Sequence, residues 1–207
     1  MSVHSSSRFF QAPSRRQGQF VELGHDEDAP FRALAAGLLN NILTCSAIRS
    51  DLLRTLFSRH WTDCPLPALR GFVTASEINT WVHTHGLDRL LPALTTRLRQ
   101  CAVEAWSASC QASPLDLTLM PVGQAIMPVL AQALNVFISV QTIEPPHKVL
   151  PLTVRHNPSA ECSFTNPSVV IRVEGPCFHA RVSEPDRFKS MNVASVAPTT
   201  SMMSPVF

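Results

Sequence analysis

The spacing of apolar residues changes midway along the chain, and this change limits the fold more than any other feature. Between residues 31 and 106, apolar side chains recur every three or four positions, which is the period of an amphipathic helix. This spacing predicts four helices, over residues 31–45, 47–60, 74–81 and 87–106. The third begins with Thr74-Ala75-Ser76-Glu77, a spacing typical of a capping box at a helix start.

The second half of the chain has a different texture. Residues 124–134 continue the helical period, but β-branched runs follow, separated by Pro, Asn and Gly. They predict strands over residues 136–143, 149–154, 168–173 and 177–182. A helical first half followed by strands is typical of an α+β fold with one sheet. We expect one domain over residues 21–184, with flexible tails at residues 1–20 and 185–207.

Charge and composition exclude several classes of protein. The 207 residues include 17 basic and 15 acidic side chains, and this near balance argues against a dedicated nucleic-acid binder or an electrostatic membrane binder. Residues 117–143 carry no charge and are long enough to span a bilayer, yet they include three glutamines and an asparagine, which are costly in lipid. A buried helix and a central strand fit this stretch better, so we expect no membrane span.

The cysteines indicate a reducing compartment. None of the six lies in a C-x-x-C pair, and residues 1–19 contain no apolar secretion signal. We therefore expect free thiols and a cytoplasmic location, with a secreted three-disulfide domain as the alternative. His83 and His85 could share a metal on a strand, but no nearby set of cysteines or carboxylates completes a site. We expect no metal and no other cofactor.

Residues 26–35, with the sequence DEDAPFRALA, resemble the signature motif of the ovarian-tumour (OTU) domain cysteine proteases, which are mostly deubiquitinases. That motif reads Asp-Gly-x-Cys, then two bulky apolar residues and Arg-Ala, at the start of a helix. The matching residues here are Asp26, Phe31, Arg32 and Ala33. Glu27 replaces the usual glycine and Pro30 replaces one apolar residue, while Ala29 stands where the nucleophilic cysteine belongs.

Two later segments keep the order of the family. Residues 123–140 resemble the helix and central strand before the catalytic histidine. Residues 169–173 and Phe178-His179-Ala180 resemble the final strands, where that histidine lies. The resemblance covers residues 24–182. It implies a papain-related fold, with a small, mostly antiparallel sheet flanked by helices and a helical substrate-binding lobe at residues 64–106.

The resemblance also implies a mechanism. A cysteine thiolate at a helix N-terminus is stabilised by the helix dipole, His179 would carry its proton to the leaving amine, and backbone N–H groups before the helix would form the oxyanion hole. Ala29 cannot attack a carbonyl. Either residue 29 is a cysteine changed to alanine to trap a substrate, or the protein is naturally inactive.

The third catalytic residue stays open. Arg181 occupies the usual place of the acid, two residues after His179, and a guanidinium cannot accept a hydrogen bond from an imidazole. Asp26 is the candidate acid, and its rival role is to shape the oxyanion loop. Glu174 and Asn166 are remoter options.

Two further residues compete for catalytic roles. His156 precedes an asparagine and could be the catalytic histidine instead of His179, although it falls in a predicted loop. Cys177 lies two residues before His179, so strand alternation places both on one face. It could be an alternative thiol, but a buried structural cysteine is the simpler interpretation.

These residues lead to one expected function. The chain would be a thiol-dependent deubiquitinase that removes ubiquitin or a ubiquitin-like modifier, in an inactive form because of Ala29. The alternatives are a catalytically dead ubiquitin-binding module and a helical adaptor unrelated to ubiquitin. The expected partner is ubiquitin or its chains, and the expected state is a monomer. The Ser/Arg-rich residues 1–20 would also suit a bacterial effector delivered into host cytoplasm.

Overall fold

The computed structural model describes residues 18–45, 48–62, 64–72, 74–109, 122–143, 152–157 and 167–189. Its helices are α1 (Ala29–Thr44), α2 (Ser50–Leu56), α3 (Ala75–His85), α4 (Leu87–Ser109), α5 (Val122–Ala133) and α6 (Asp186–Lys189). Its strands are β1 (Gln19–Glu22), β2 (Phe137–Ile143), β3 (Leu152–His156), β4 (Ser168–Glu174) and β5 (Cys177–Val182). The predicted α+β class is confirmed.

Within these residues the strands form one five-stranded mixed sheet in the order β1-β5-β4-β2-β3. Neighbouring strands are antiparallel except β2 and β4, which run parallel. Gly175, with a φ of +56°, makes the tight turn that joins β4 to β5. The sheet therefore pairs the first strand of the chain with the last.

The two faces of the sheet differ sharply. The inner face packs against α1 and carries buried apolar residues: Val21, Ile138, Val169, Ile171 and Ala180. The outer face carries the alternate residues: Phe20, Glu22, Ser139, Arg172, His179 and Arg181. A Cβ at Gly37 would lie 2.3 Å from Cγ1 of Val169, so glycine lets α1 lie close on β4.

Helices α2 to α5 belong to the same hydrophobic core as α1 and the sheet. One cluster of buried side chains joins α1, α2, α3, α4 and α5 to the inner face. The predicted lobe at residues 64–106 therefore does not stand apart, because α4 packs directly on α1 and α5. The capping box before α3 is confirmed: the Glu77 N–H donates to Thr74 Oγ1 at 3.3 Å, and the Thr74 N–H donates to Glu77 Oε2 at 2.9 Å.

Some predicted boundaries differ from the observed ones. The observed helix α2 is shorter than the predicted helix 47–60. It ends before Phe57, whose carbonyl accepts the Gly71 N–H at 2.7 Å instead of a helical N–H. The predicted strand 149–154 is observed as β3, which begins at Leu152, ends at His156 and pairs with β2 along its whole length, while residues 149–151 lie outside the described residues. Part of each predicted tail is ordered: β1 includes Gln19 and Phe20, and α6 buries Phe188. Residues 1–17 and 190–207 lie outside the described residues.

The membrane prediction was tested on the described part of the chain. No helix there is long and apolar enough to cross a bilayer. The described part of the uncharged stretch folds into α5 and β2, a helix followed by a strand, as predicted. Strand β2 lies between β4 and β3 in the sheet.

Candidate functional site

The loop before α1 is shaped by Asp26. The Asp28 N–H donates to Asp26 Oδ1 at 3.0 Å, and the Ala29 N–H donates to the Asp26 carbonyl at 3.0 Å. A carboxylate that accepts the backbone N–H two residues later forms an Asx turn. Asp26 therefore directs the chain into the first turn of the helix with both its side chain and its main chain.

Arg32, one turn inside α1, holds this loop to the sheet. Its Nη1 donates to the Leu23 carbonyl at 2.6 Å, and its Nη2 donates to Asp26 Oδ1 and Oδ2 at 3.2 and 3.0 Å. Gly24 has a φ of +107°, and a Cβ there would lie 2.7 Å from Arg32 Nη1. Arg32 thus stabilises the loop before α1, and this role does not depend on a nucleophile at residue 29.

A second arginine reaches the loop from α4. Arg99 Nη1 donates to Asp28 Oδ1, and Arg99 Nη2 lies 3.9 Å from Glu27 Oε2. The three acidic residues before α1 therefore all have a cationic partner. They also lie at the positive end of the helix dipole, which favours negative charge.

Ala29 is the first residue of α1, and its side chain is completely buried. Pro30 follows in the first turn, where the missing N–H of proline costs no helical hydrogen bond. The position is one where a helix N-terminus could stabilise an anion. A buried methyl group can neither attack a carbonyl nor transfer a proton.

The structure brings the two segments of the resemblance side by side. The Leu23 N–H donates to the Phe178 carbonyl at 2.8 Å, and the Phe178 N–H donates to the Gly24 carbonyl at 3.0 Å. The loop before α1 therefore starts next to the residue that precedes His179. The main chains of the two segments are therefore joined by hydrogen bonds.

His179 lies on the outer face, away from α1. Its register partners are Glu22 on β1 and Arg172 on β4, while its neighbour Ala180 is buried on the inner face. Its Nε2 is buried and has no hydrogen-bond partner within the described residues. The structure does not pair His179 with Asp26, whose carboxylate is bound by Arg32. The alternation of apolar residues in β5, Phe178, Ala180 and Val182, is the sequence signal that indicates this orientation.

The outer face around His179 carries polar side chains, and one of them stacks on an aromatic ring. The Arg172 guanidinium lies 3.7 Å from the centroid of the Phe20 ring. Cys177 lies near the same cluster, and partial burial together with the Glu22 and Glu174 carboxylates raises the pKa of its thiol. A raised pKa keeps this thiol protonated at neutral pH, which is the reverse of what an activated nucleophile needs.

The remaining candidates occupy separate places. Arg181 is exposed on the outer face, and His156 pairs with Ile138 at the end of β3. Burial lowers the pKa of His156. His85 stacks on Trp81 with ring centroids 4.6 Å apart. Asn166 lies outside the described residues, which contain no cluster of three or more potential metal ligands.

Arg99 is the main site residue that the sequence does not reveal. Its contact with Asp28 joins residues 71 positions apart, and a periodic helical pattern gives no information on such a pairing. Comparisons with protein-family models and with curated proteins find no match to this chain.

Proposed function

We propose that this chain is an OTU-like module that binds ubiquitin or a ubiquitin-like modifier without cleaving it. One observation carries the inactive part of the proposal: Ala29 is fully buried at the helix start where the family places its nucleophile. The ubiquitin part rests on the resemblance of residues 24–182 to that family. The most natural location for such a module is the cytoplasm.

The surroundings of Ala29 argue against hydrolysis. His179 faces the opposite side of the sheet from α1, and Asp26 is committed to Arg32 and to the Asp28 N–H. A general base must come within hydrogen-bond reach of the proton that it abstracts. Restoring catalysis would therefore require a thiol at residue 29 and a reorientation of β5, which is a larger change than a single substitution.

A specific observation keeps the thiol-dependent deubiquitinase as the second candidate. Residue 29 begins a long helix, and the loop before it is held by two arginines in a fixed turn. A cysteine in that position would have its pKa lowered by the helix N-terminus. If residue 29 were a cysteine changed to alanine, the Ala29→Cys variant would regain activity.

The deciding experiment separates binding from cleavage. We expect the unaltered chain to shift resonances of ¹⁵N-labelled ubiquitin and to leave diubiquitin intact. We expect the Ala29→Cys variant to form no adduct with a ubiquitin whose carboxy-terminus carries a thiol-reactive electrophile. The matched control is Cys45→Ala added to Ala29→Cys, because Cys45 is an exposed free thiol that could react nonspecifically.

Each result has a distinct meaning. An adduct at residue 29 together with diubiquitin cleavage, lost again on adding His179→Ala, would overturn the inactive proposal in favour of the protease. Binding without an adduct supports the proposal. Failure to bind ubiquitin or any ubiquitin-like modifier tested would reject the ubiquitin partner and leave the helical adaptor.

A further inference from the structure

A cleft of about 470 Å³ opens between α4 and the residues that follow α2. This volume is within the range of small-molecule sites. Neither residue 29 nor the outer face of the sheet lines the cleft, although Arg99, which does line it, also contacts the loop before α1. Five of its lining residues carry the argument: Trp61, Arg97, Arg99, Val103 and Glu104.

The side chain of Arg97 is buried at this cleft and held in place by its contacts. Its side chain is only 10% exposed, and its Nε and Nη2 donate to the Thr55 carbonyl at 3.4 and 3.3 Å. Its Cζ lies 6.0 Å from the centroid of the Trp61 ring. The Thr55 carbonyl and the Trp61 ring hold the guanidinium in one orientation. The third guanidinium nitrogen, Nη1, is therefore a donor with a fixed orientation.

That donor is occupied by an exposed carboxylate. Arg97 Nη1 donates to Glu104 Oε1 at 3.0 Å, and the Glu104 side chain is 63% exposed. An ion pair between a buried arginine and an exposed glutamate is weak on the glutamate's side, since water competes for that carboxylate. Glu104 thus fills a position that the carboxylate of a ligand could take.

The wall of the cleft also includes a donor without a partner and an apolar side chain. Trp61 is 3% exposed, and its indole N–H is buried without an acceptor among the described residues. A buried donor without a partner carries a desolvation cost that an added acceptor can relieve. Val103 is 41% exposed on the same cleft, which leaves an apolar contact uncovered.

The charges facing the cleft favour an anion. Arg97 and Arg99 line it together with one carboxylate, Glu104. Arg99 is already held by Asp28 and Glu27, so Arg97 is the cation that a ligand can reach by displacing Glu104. We propose that this cleft binds a small organic monocarboxylate, with its carboxylate on Arg97 Nη1 and its apolar body against Val103.

Benzoate is a suitable probe, and benzyl alcohol is its neutral counterpart of similar shape. The readout is the indole ¹H–¹⁵N resonance of Trp61, assigned by its loss in Trp61→Phe. We expect benzoate to shift this resonance saturably at concentrations up to about 20 mM, and benzyl alcohol to shift it much less. Arg97→Gln should weaken benzoate binding by about tenfold or more, because it removes the charged donor.

Two further variants make the test independent of folding defects. Glu104→Gln removes the competing carboxylate from an exposed position, so we expect it to strengthen benzoate binding severalfold. Arg54→Gln makes the same charge change on the exposed surface of α2 and should leave binding unaltered. No shift in either the unaltered chain or Glu104→Gln, an equal response to benzyl alcohol, or weaker binding in Glu104→Gln would each overturn the proposal.

Discussion

The loop before α1 and the outer face of β5 carry the two halves of one sequence resemblance, yet they are built differently. In the loop, every acidic side chain has a cationic partner: Asp26 is bound by Arg32, and Glu27 and Asp28 by Arg99. On the outer face, His179 Nε2 and Arg172 Nε are buried without hydrogen-bond partners among the described residues. The loop is fixed by ion pairs and hydrogen bonds, whereas the side chains around His179 are held by strand register and by the stacking of Arg172 on Phe20.

The contacts of the loop give the residues that match the motif structural roles that need no catalytic chemistry. Phe31 is fully buried in the core, and Arg32 joins the loop to the end of β1. Both tasks stabilise the fold whether residue 29 carries a thiol or a methyl group. The match of these residues to a protease motif is therefore evidence for the local structure first and for activity only second.

The largest expected effect comes from removing the clamp on the loop. Arg32→Met leaves the Leu23 carbonyl without its arginine donor and the Asp26 carboxylate without its cationic partner, so we expect the free energy of unfolding to fall by about 2 to 3 kcal/mol. The matched control is Arg181→Met on the outer face, where the side chain is exposed and the loss should stay below about 0.5 kcal/mol. Urea unfolding of both variants measures the difference, and equal losses would contradict the contrast between the two regions.

The second prediction concerns the thiol of Cys101 in the helical core. Burial, aided by Glu104, raises the pKa of Cys101 to about 11 from the ordinary value of 9.0, although Arg97 opposes the change. A group with a raised folded-state pKa contributes stability that is complete below pH 9 and is lost as the pH rises through 11. We expect the folded state to lose about 2 to 3 kcal/mol across this window from Cys101 alone.

The composition makes this window easy to interpret. The chain has no tyrosine, and its lysines are Lys148 and Lys189, so apart from the other five cysteines few groups ionise between pH 9 and 11, and Cys101→Ala leaves those cysteines unchanged. Cys101→Ala should unfold more easily at pH 8, because it leaves a small cavity, yet its stability should fall less steeply from pH 9 to 11. A slope as steep as that of the unaltered chain would show that Cys101 is not the group responsible.

Sequence periodicity predicts much of this fold because the underlying contacts are local. The predicted strand 177–182 has the same bounds as β5, the predicted helix 31–45 begins two residues after α1 does, and the capping box at Thr74 forms as its spacing indicates. The site is harder to predict, because Arg99 meets Asp28 only through the packing of α4 on α1. No local sequence pattern predicts a contact between residues that lie 71 positions apart.

The third prediction tests how tightly α1 lies on the inner face. Gly37→Ala improves the helix propensity of α1 by about 1 kcal/mol, but its Cβ would lie 2.3 Å from Val169 Cγ1. Overpacking of this kind costs more than the propensity returns, so we expect a net loss of about 1 to 2 kcal/mol. Adding Val169→Ala should recover part of that loss, which a double-mutant cycle measures as coupling. If Gly37→Ala stabilised the protein, or if the effects of Gly37→Ala and Val169→Ala were strictly additive, α1 would not be tightly packed against β4 at this position.

The smallest expected effect concerns His156, at the edge of the sheet. Burial lowers the pKa of His156, which means that the folded state favours the neutral ring. Stability from this preference is present above the ordinary histidine value of about 6.5 and is lost as the pH falls, because the unfolded chain takes up the proton more readily. His156→Gln keeps a neutral polar side chain, so we expect a smaller loss of stability between pH 7 and pH 5 than in the unaltered chain. NMR titration of the ring should show its pKa below 6.5 in the native protein and returning to that value in urea. An unchanged pH dependence in His156→Gln would mean that the surroundings of His156 are more hydrated than its burial indicates.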